Sequence, residues 1–215
     1  MRLFVPALAL ALAISLPLAV AAQDIDKING EISVDAGQHA GDVHSVNGGI
    51  QVGANATVQN ASTVNGSIHL GENAQASSLH TVNGSLTLRT GSRVTGEVRS
   101  TNGEISLDRR ADVGGNLSNA NGTITLDHAH IGGGIATSNG DITIGDGSRV
   151  DGGLIVNEVH GRNWPNRDPE IVIGPHAVVN GTLDFRREVV LEVSDSAQIG
   201  PVRGAIPKHF SGATP

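Results

Sequence analysis

The chain has 215 residues, with 14 Lys and Arg against 21 Asp and Glu, 29 Gly, three Phe, one Trp, no Tyr and no Cys. A net charge of −7 argues against nucleic acid or an anionic membrane surface as partner. The missing Cys excludes disulfides and a lipid-bearing N-terminal Cys, and the scarcity of Trp and Tyr removes the aromatic platforms of glycan grooves and protein hot spots.

Residues 1–22 carry one charge, Arg2, and then an apolar run broken only by Ser15 and two prolines, ending on Ala19-Val20-Ala21-Ala22. A basic start, an apolar middle and a small-residue exit read as a secretory signal peptide cut after Ala21 or Ala22. An uncleaved anchor is the competing reading, since the run approaches the roughly 20 residues that span a bilayer. Pro17 and the Ala-rich exit favour cleavage. The exported chain then keeps 13 basic and 21 acidic residues, a net charge of −8, and has no transmembrane domain.

From Asn29 onward the pair Asn-Gly returns at Asn47, Asn65, Asn83, Asn102, Asn121 and Asn139, at intervals of 18 or 19 residues. One more step of 18 reaches Asn157. A fixed period in this range marks a solenoid. Inside each period apolar residues alternate, as in Ile32 and Val34, Ile50 and Val52, Leu86 and Leu88, Ile124 and Leu126. That period of two is the strand period. The sequence therefore predicts an all-β fold over residues 23–206: a parallel β-helix of about nine coils, each with three short strands, in a rod on the order of 40 Å long. The third segment grows from six residues to seven at Val94–Ser100 and Val113–Asn119. Unequal sides fit a right-handed helix better than a triangular left-handed one.

Asn and Gly both tolerate positive φ, so the pair is expected to form the tight corner that opens each coil. In register, Asn29, Asn47, Asn65, Asn83, Asn102, Asn121, Asn139 and Asn157 are expected to stack as an amide ladder. The rhythm lapses at 158–170, where an inserted loop holds His160, Arg162, Trp164, Arg167 and Asp168. That loop is the candidate ligand or partner site, with a packed lid as the plainer alternative. The solenoid resumes at Ile171, closes with Leu191–Ile199, and residues 207–215 read as a flexible tail.

No catalytic, metal or cofactor motif emerges. Outward Glu31, Glu104 and Asp141 lie several coils apart, too far to share one glycosidic bond. Asp108 and Asp127 sit one coil apart, where stacked like charges raise a pKa or hold a cation, or are simply solvated. His128 and His130 alternate beside Asp127 as if on one strand, but no third metal ligand is fixed by spacing. The Thr87, Thr125 and Thr143 column is too interrupted, by Gln51, His69 and Ser106, for a flat ice-binding array.

The segments Ser92-Arg93-Val94-Thr95-Gly96-Glu97-Val98, Ser148-Arg149-Val150-Asp151-Gly152-Gly153-Leu154 and His176-Ala177-Val178-Val179-Asn180-Gly181-Thr182-Leu183 share a small-x-Val-x-Gly-x-Val/Leu form. This pattern, over roughly residues 28–203, resembles the bactofilins, polymer-forming bacterial proteins built on a right-handed β-helix. The phrase Thr137-Ser138-Asn139-Gly140-Asp141-Ile142-Thr143-Ile144 is also similar to secreted putative adhesins with β-strand repeats. The resemblance implies self-association. Bactofilins are mostly cytoplasmic or membrane-bound through an N-terminal segment, whereas this chain opens on an export signal. The expectation is thus a non-enzymatic scaffold of the bacterial envelope, periplasmic or on the cell surface. Its expected partners are copies of itself, envelope polysaccharide or envelope proteins. The alternatives are a surface adhesin or glycan-binding module and, third, a carbohydrate-active enzyme.

Overall fold

The computed structural model describes residues 22–158 and 167–215. The leader up to Ala21, and His160, Arg162 and Trp164 of the inserted loop, lie outside the described residues. The rest is an all-β parallel β-solenoid of about nine turns. Each coil adds one strand to each of three parallel sheets. The first sheet has ten strands, from Gln23–Asn29 to Val202–Arg203; the second has ten, from Ile32–Val34 to Lys208–Phe210. The third has seven two-residue strands, from Gln75–Ala76 to Gln198–Ile199. Lys208–Phe210 pairs with Val190–Ser194, so the stretch from residue 207 begins with a sheet strand rather than running free.

The period-two alternation becomes geometry directly. Ile32, Ile50, Ile68, Leu86, Ile105, Ile124, Ile142 and Ile171 stack in one register column of the second sheet. All are 0–1% exposed. Each such side chain contributes roughly 1.5–3 kcal/mol on burial, and stacking supplies the neighbours that a single flat coil lacks.

The glycine of each Asn-Gly corner is needed for a reason other than the expected positive φ. Only Gly30, Gly103 and Gly122 among the corner glycines have left-handed φ, and none of the corner Asn residues does. Instead, a Cβ on Gly48, Gly66, Gly84, Gly103, Gly122 or Gly140 would lie 1.9–2.2 Å from the carbonyl oxygen of the preceding corner glycine. The coils approach too closely there for any side chain. The left-handed residues form a separate column, at the corner between the second and third sheets: Gly37, Asn55, Asn73, Gly91, Arg110, His128, Gly147 and His176.

Two positions before each corner Asn from Asn47 to Asn139, a polar residue points inward and is buried: Ser45, Thr63, Thr81, Ser100, Asn119 and Thr137. Thr63 Oγ1 donates to the Gly48 carbonyl and Thr81 Oγ1 to the Gly66 carbonyl, both at 2.9 Å. Asn119 Nδ2 does the same to Gly103 at 2.7 Å. These bonds satisfy corner carbonyls that would otherwise be buried unpaired, a loss of about 1–3 kcal/mol each. Where the Asn-Gly corner ends, this column turns apolar, at Val156 and Phe185.

Inward and outward positions should respond oppositely to charge. Ile105→Asp is expected to lower unfolding free energy by several kcal/mol, because it buries an unpaired carboxylate. Ser106→Asp, the adjacent outward position, is expected to shift it by less than about 1 kcal/mol. Denaturant unfolding of both variants checks the alternation, and equal losses would contradict it.

Candidate functional site

Three features of the outer surface carry chemistry: the end of the amide ladder, a groove on the first sheet, and two ladders of ion pairs.

The amide ladder runs from Asn29 to Asn139. Each Nδ2 donates to the Oδ1 one coil earlier, at 3.2 Å for Asn47 to Asn29 and 2.9 Å through Asn65, Asn83, Asn102 and Asn121. The last step, Asn139 to Asn121, stretches to 3.4 Å. Asn157, the eighth expected member, is not part of it. Its Nδ2 turns to the Thr137 carbonyl at 3.4 Å, and its Oδ1 accepts from Arg186 Nη1 at 3.4 Å. Arg187 takes the vacated place, its Nη1 donating to Asn139 Oδ1 at 2.6 Å and to the Ser138 carbonyl at 3.3 Å. A guanidinium, which only donates, thus closes a ladder whose last free group is an acceptor.

The inserted loop leaves and rejoins the solenoid at this corner. Arg167 pairs with the Asp141 carboxylate, which also accepts the Glu170 backbone N–H at 2.9 Å. That pairing raises the already high pKa of Arg167, chiefly through the hydrogen bond and then the charge of Asp141. Arg187 Nη2 reaches the Arg167 carbonyl at 3.4 Å. Asp168 is exposed. Of the five expected loop residues, then, Arg167 is tied to the ladder end and Asp168 faces solvent. Asp141, weighed in the sequence only as one of three scattered outward carboxylates, belongs to the same cluster, as do Arg186 and Arg187, which the sequence did not single out. Their signal was the Arg-Arg pair at the second corner without Asn-Gly.

A groove of about 640 Å³ runs along the outer face of the first sheet. Its central column reads Arg99, Ser118, Ala136, Ile155, Asp184, Arg203 in register. Small residues, including Gly134 and Gly153 beside that column, make the floor, and Ile155 gives it an apolar patch. Charged pairs flank it: Arg99 with Glu97 at 3.4 Å and Arg186 with Asp184 at 3.0 Å.

On the third sheet an alternating ladder climbs from Arg93 to Asp112 (2.9 Å), from Asp112 to His130 Nδ1 (2.6 Å), and from His130 Nε2 to Asp151 (2.9 Å). Arg149 and Asn180 also reach Asp151, at 2.6 and 3.0 Å. A second ladder follows the neighbouring corner: Arg109 to Asp127 at 3.3 Å, Asp127 to His128 at 2.6 Å, His128 to Asp146 at 3.4 Å, and Asp146 to His176 at 3.0 Å.

Two expectations change here. Stacking on Asp108 does not raise the pKa of Asp127. Asp108 faces Arg89 at 3.4 Å, and the hydrogen bond from His128, reinforced by Arg109, lowers the Asp127 pKa. His128 and His130 do not share a strand. His128 sits in the left-handed turn with φ 47°, and only His130 is in the strand His130–Ile131, so each joins a different ladder. Among the described residues, no group of three or more His, Asp or Glu could hold a metal ion.

The hydrogen bonds to Asp151 and then Asp112 raise the His130 pKa above 6.5. Its ring is stabilised in the charged form. The ladder's contribution is therefore complete below about pH 6.5, and is lost as pH rises through the raised folded value. Thermal unfolding of wild type and His130→Gln should differ most near pH 5–6 and converge by about pH 9. A gap that widens with pH would refute this assignment.

Arg187→Ala leaves Asn139 Oδ1 without its guanidinium and is expected to lower stability by about 1–2 kcal/mol. Arg187→Lys should recover part of the loss, because one of the two bonds from Nη1 can be replaced by a single ammonium. Denaturant midpoints compare the two, and an unchanged midpoint in Arg187→Ala would remove the cap from the account.

Against this geometry, comparison with known proteins finds no matching family model, no matching curated protein and no matching solved structure.

Proposed function

We propose that the chain is a non-enzymatic structural protein of the bacterial cell envelope, exported to the periplasm or cell surface, that self-associates through the ends of its β-helix. The observation that carries this reading is the contrast between a closed middle and open ends. Inward columns that are 0–1% exposed in the middle coils become half-buried at Ile25, Ile199, Val202 and Ala205. Two of the most exposed large apolar residues, Ile28 at 72% and Ile206 at 89%, lie in the first and last coils. Among the described residues, the first and second sheets also end in strands with one unpaired edge, and such edges template pairing with another chain. The bactofilin-like segments in the repeats support the same reading, as does the export signal. Envelope polysaccharide or envelope proteins are the further partners it implies.

The groove favours a second reading, a surface adhesin or glycan-binding module. Its small-residue floor leaves room for an extended polymer, and its flanking Arg and Asp side chains offer donors and acceptors. On this reading, Ile155→Asp in the groove and Trp164→Ala in the loop remove binding to isolated envelopes or polysaccharide while leaving self-association intact.

Light scattering across a wide concentration range tests the first reading. Mass is expected to rise with concentration, and Ile28→Asp combined with Ile206→Asp is expected to return a folded monomer. A wild-type monomer at every concentration would overturn it.

A further inference from the structure

Asn-Gly is a chemically labile dipeptide, because glycine puts no side chain between its own backbone nitrogen and the asparagine amide before it. The chain carries eight such pairs, the seven at the ladder corners and Asn180-Gly181. We propose that Asn121-Gly122 is the covalent modification site among them, the pair at which the folded protein loses ammonia and converts to aspartate or isoaspartate.

The reaction needs two freedoms. The glycine backbone nitrogen must give up its proton, and the asparagine side chain must swing until Cγ reaches that nitrogen. A bond then forms between the nitrogen and Cγ, the bond from Cγ to Nδ2 breaks, and Nδ2 leaves as ammonia with the backbone proton. Water reopens the cyclic imide. Cleavage at Cγ leaves aspartate, and cleavage at the main-chain carbonyl leaves isoaspartate, with the chain now routed through the side chain. Water is consumed and ammonia released, with no oxidant or reductant. A hydrogen bond that holds the glycine N–H opposes the first freedom, and one that holds the amide opposes the second.

Seven of the eight glycine N–H groups are held. From Gly30 to Gly103, each donates to the carbonyl of the corner Asn one coil later, at 2.9–3.0 Å. Gly140 N–H donates to Thr137 Oγ1 at 3.0 Å, and Gly181 N–H to the Gly152 carbonyl at 3.0 Å. Gly122 is the exception. The register that pairs Asn102 with Asn121 stops at Asn119 and Thr137 in the next coil. There the corner is held by Arg187, which takes Asn139 Oδ1 and the Ser138 carbonyl. Among the described residues, no acceptor meets the Gly122 N–H. The amide is loosened at the same place. Asn121 Oδ1 accepts at 3.4 Å from Asn139, whereas Asn47, Asn65, Asn83 and Asn102 accept at 2.9 Å. Asn121 and Gly122 are also half-buried rather than sealed, which leaves the hydrolysing water a route.

The product matters because the ladder has a polarity. Each Asn from Asn47 to Asn139 donates to the one before it, and Asn29 only accepts. Aspartate at 121 has no proton to donate, so its carboxylate faces Asn102 Oδ1 as acceptor against acceptor. Isoaspartate adds a methylene to the main chain at a corner where a Cβ on Gly122 would already lie 2.1 Å from the Gly103 carbonyl oxygen. Either product cuts the ladder between Asn102 and Asn121 and leaves Asn139, with its Arg187 cap, on the far side of the cut.

Native protein and protein unfolded in urea are incubated in parallel at mildly alkaline pH. Deamidation of each pair is followed by peptide mapping at acidic pH, with isoaspartate resolved from aspartate. In urea the eight pairs are expected to react at similar rates. In the native protein Asn121 is expected to react about tenfold faster than any other pair, the rate equivalent of one protecting hydrogen bond. Another pair reacting as fast as Asn121 in the native state would overturn the proposal. So would an Asn121 rate that climbs in step with the rest at low, sub-denaturing urea, because that reaction passes through opened chains. Thr137→Val combined with Arg187→Ala frees both groups at Asn139-Gly140. In that variant, checked for folding by circular dichroism, the Asn139 rate is expected to rise by about tenfold or more, and no rise contradicts the role given to the held N–H. Denaturant midpoints test the cut: Asn121→Asp is expected to lower the midpoint and Asn29→Asp to leave it in place. Equal midpoints contradict it.

Discussion

One constraint underlies every part of this molecule: each coil hydrogen-bonds the next in a fixed parallel register, so every residue lies over its counterpart one period away. The repeat is therefore a set of columns rather than a set of motifs. An inward column must be apolar throughout, because a single charge in it would be buried between two neighbours. A corner column must be glycine where carbonyl oxygens of successive coils come within 1.9–2.2 Å of any Cβ. At the Asn-Gly corner a polar residue is admitted inside where a corner carbonyl accepts its hydrogen bond, as Thr63 and Thr81 show. Stability thus comes from contacts repeated at short sequence distance, without disulfides and with very few aromatic side chains.

The outer surface obeys the same rule. Side chains there bond up and down the axis more than along their own strand. The Asn column does so with amides, the third sheet with Arg93, Asp112, His130 and Asp151, and the neighbouring corner with Asp127, His128, Asp146 and His176. Most of the carboxylates in these two ladders are held by a cation one coil away. The groove appears where this pattern pauses, at Ser118, Ala136 and Ile155, and charge resumes at either end of it.

How much of this the sequence revealed follows from what each feature depends on. The coil length, the three strands and the inward columns are written as spacing, and spacing survives in a string of letters. The amide ladder was legible for the same reason, up to Asn139. Its end was not, because Arg187 is 48 residues from the Asn139 it caps. That contact depends on how far the inserted loop displaces the next coil. The φ expected of the corner glycine holds at Gly30, Gly103 and Gly122, but the close approach of successive coils was not legible, because one coil in isolation cannot show a clash with another. The left-handed column is hidden in the sequence because its members change type from Gly and Asn to Arg110, His128 and His176, so no single residue repeats at that position as Asn-Gly does at the other corner. His128 and His130 look like strand neighbours in sequence, and only the turn between sheets assigns them to different ladders.

The inserted loop between Val156 and Glu170 bears on how the solenoid assembles. Elsewhere, adjacent strands of a coil are joined by a few residues, so closing one coil onto the previous one restricts little chain. The 13 residues here raise the entropy of that closure by about 1.5 kcal/mol over a two-residue corner. They do so where the amide ladder has already ended and the inner polar column has turned apolar. Three sources of coupling weaken at one boundary. In a nearest-neighbour chain of coils, such a boundary is where cooperativity is lowest. The coils from Ile171 onward are therefore joined to the Asn-ladder coils by backbone pairing and by the Arg187 and Arg167 contacts rather than by the amide column.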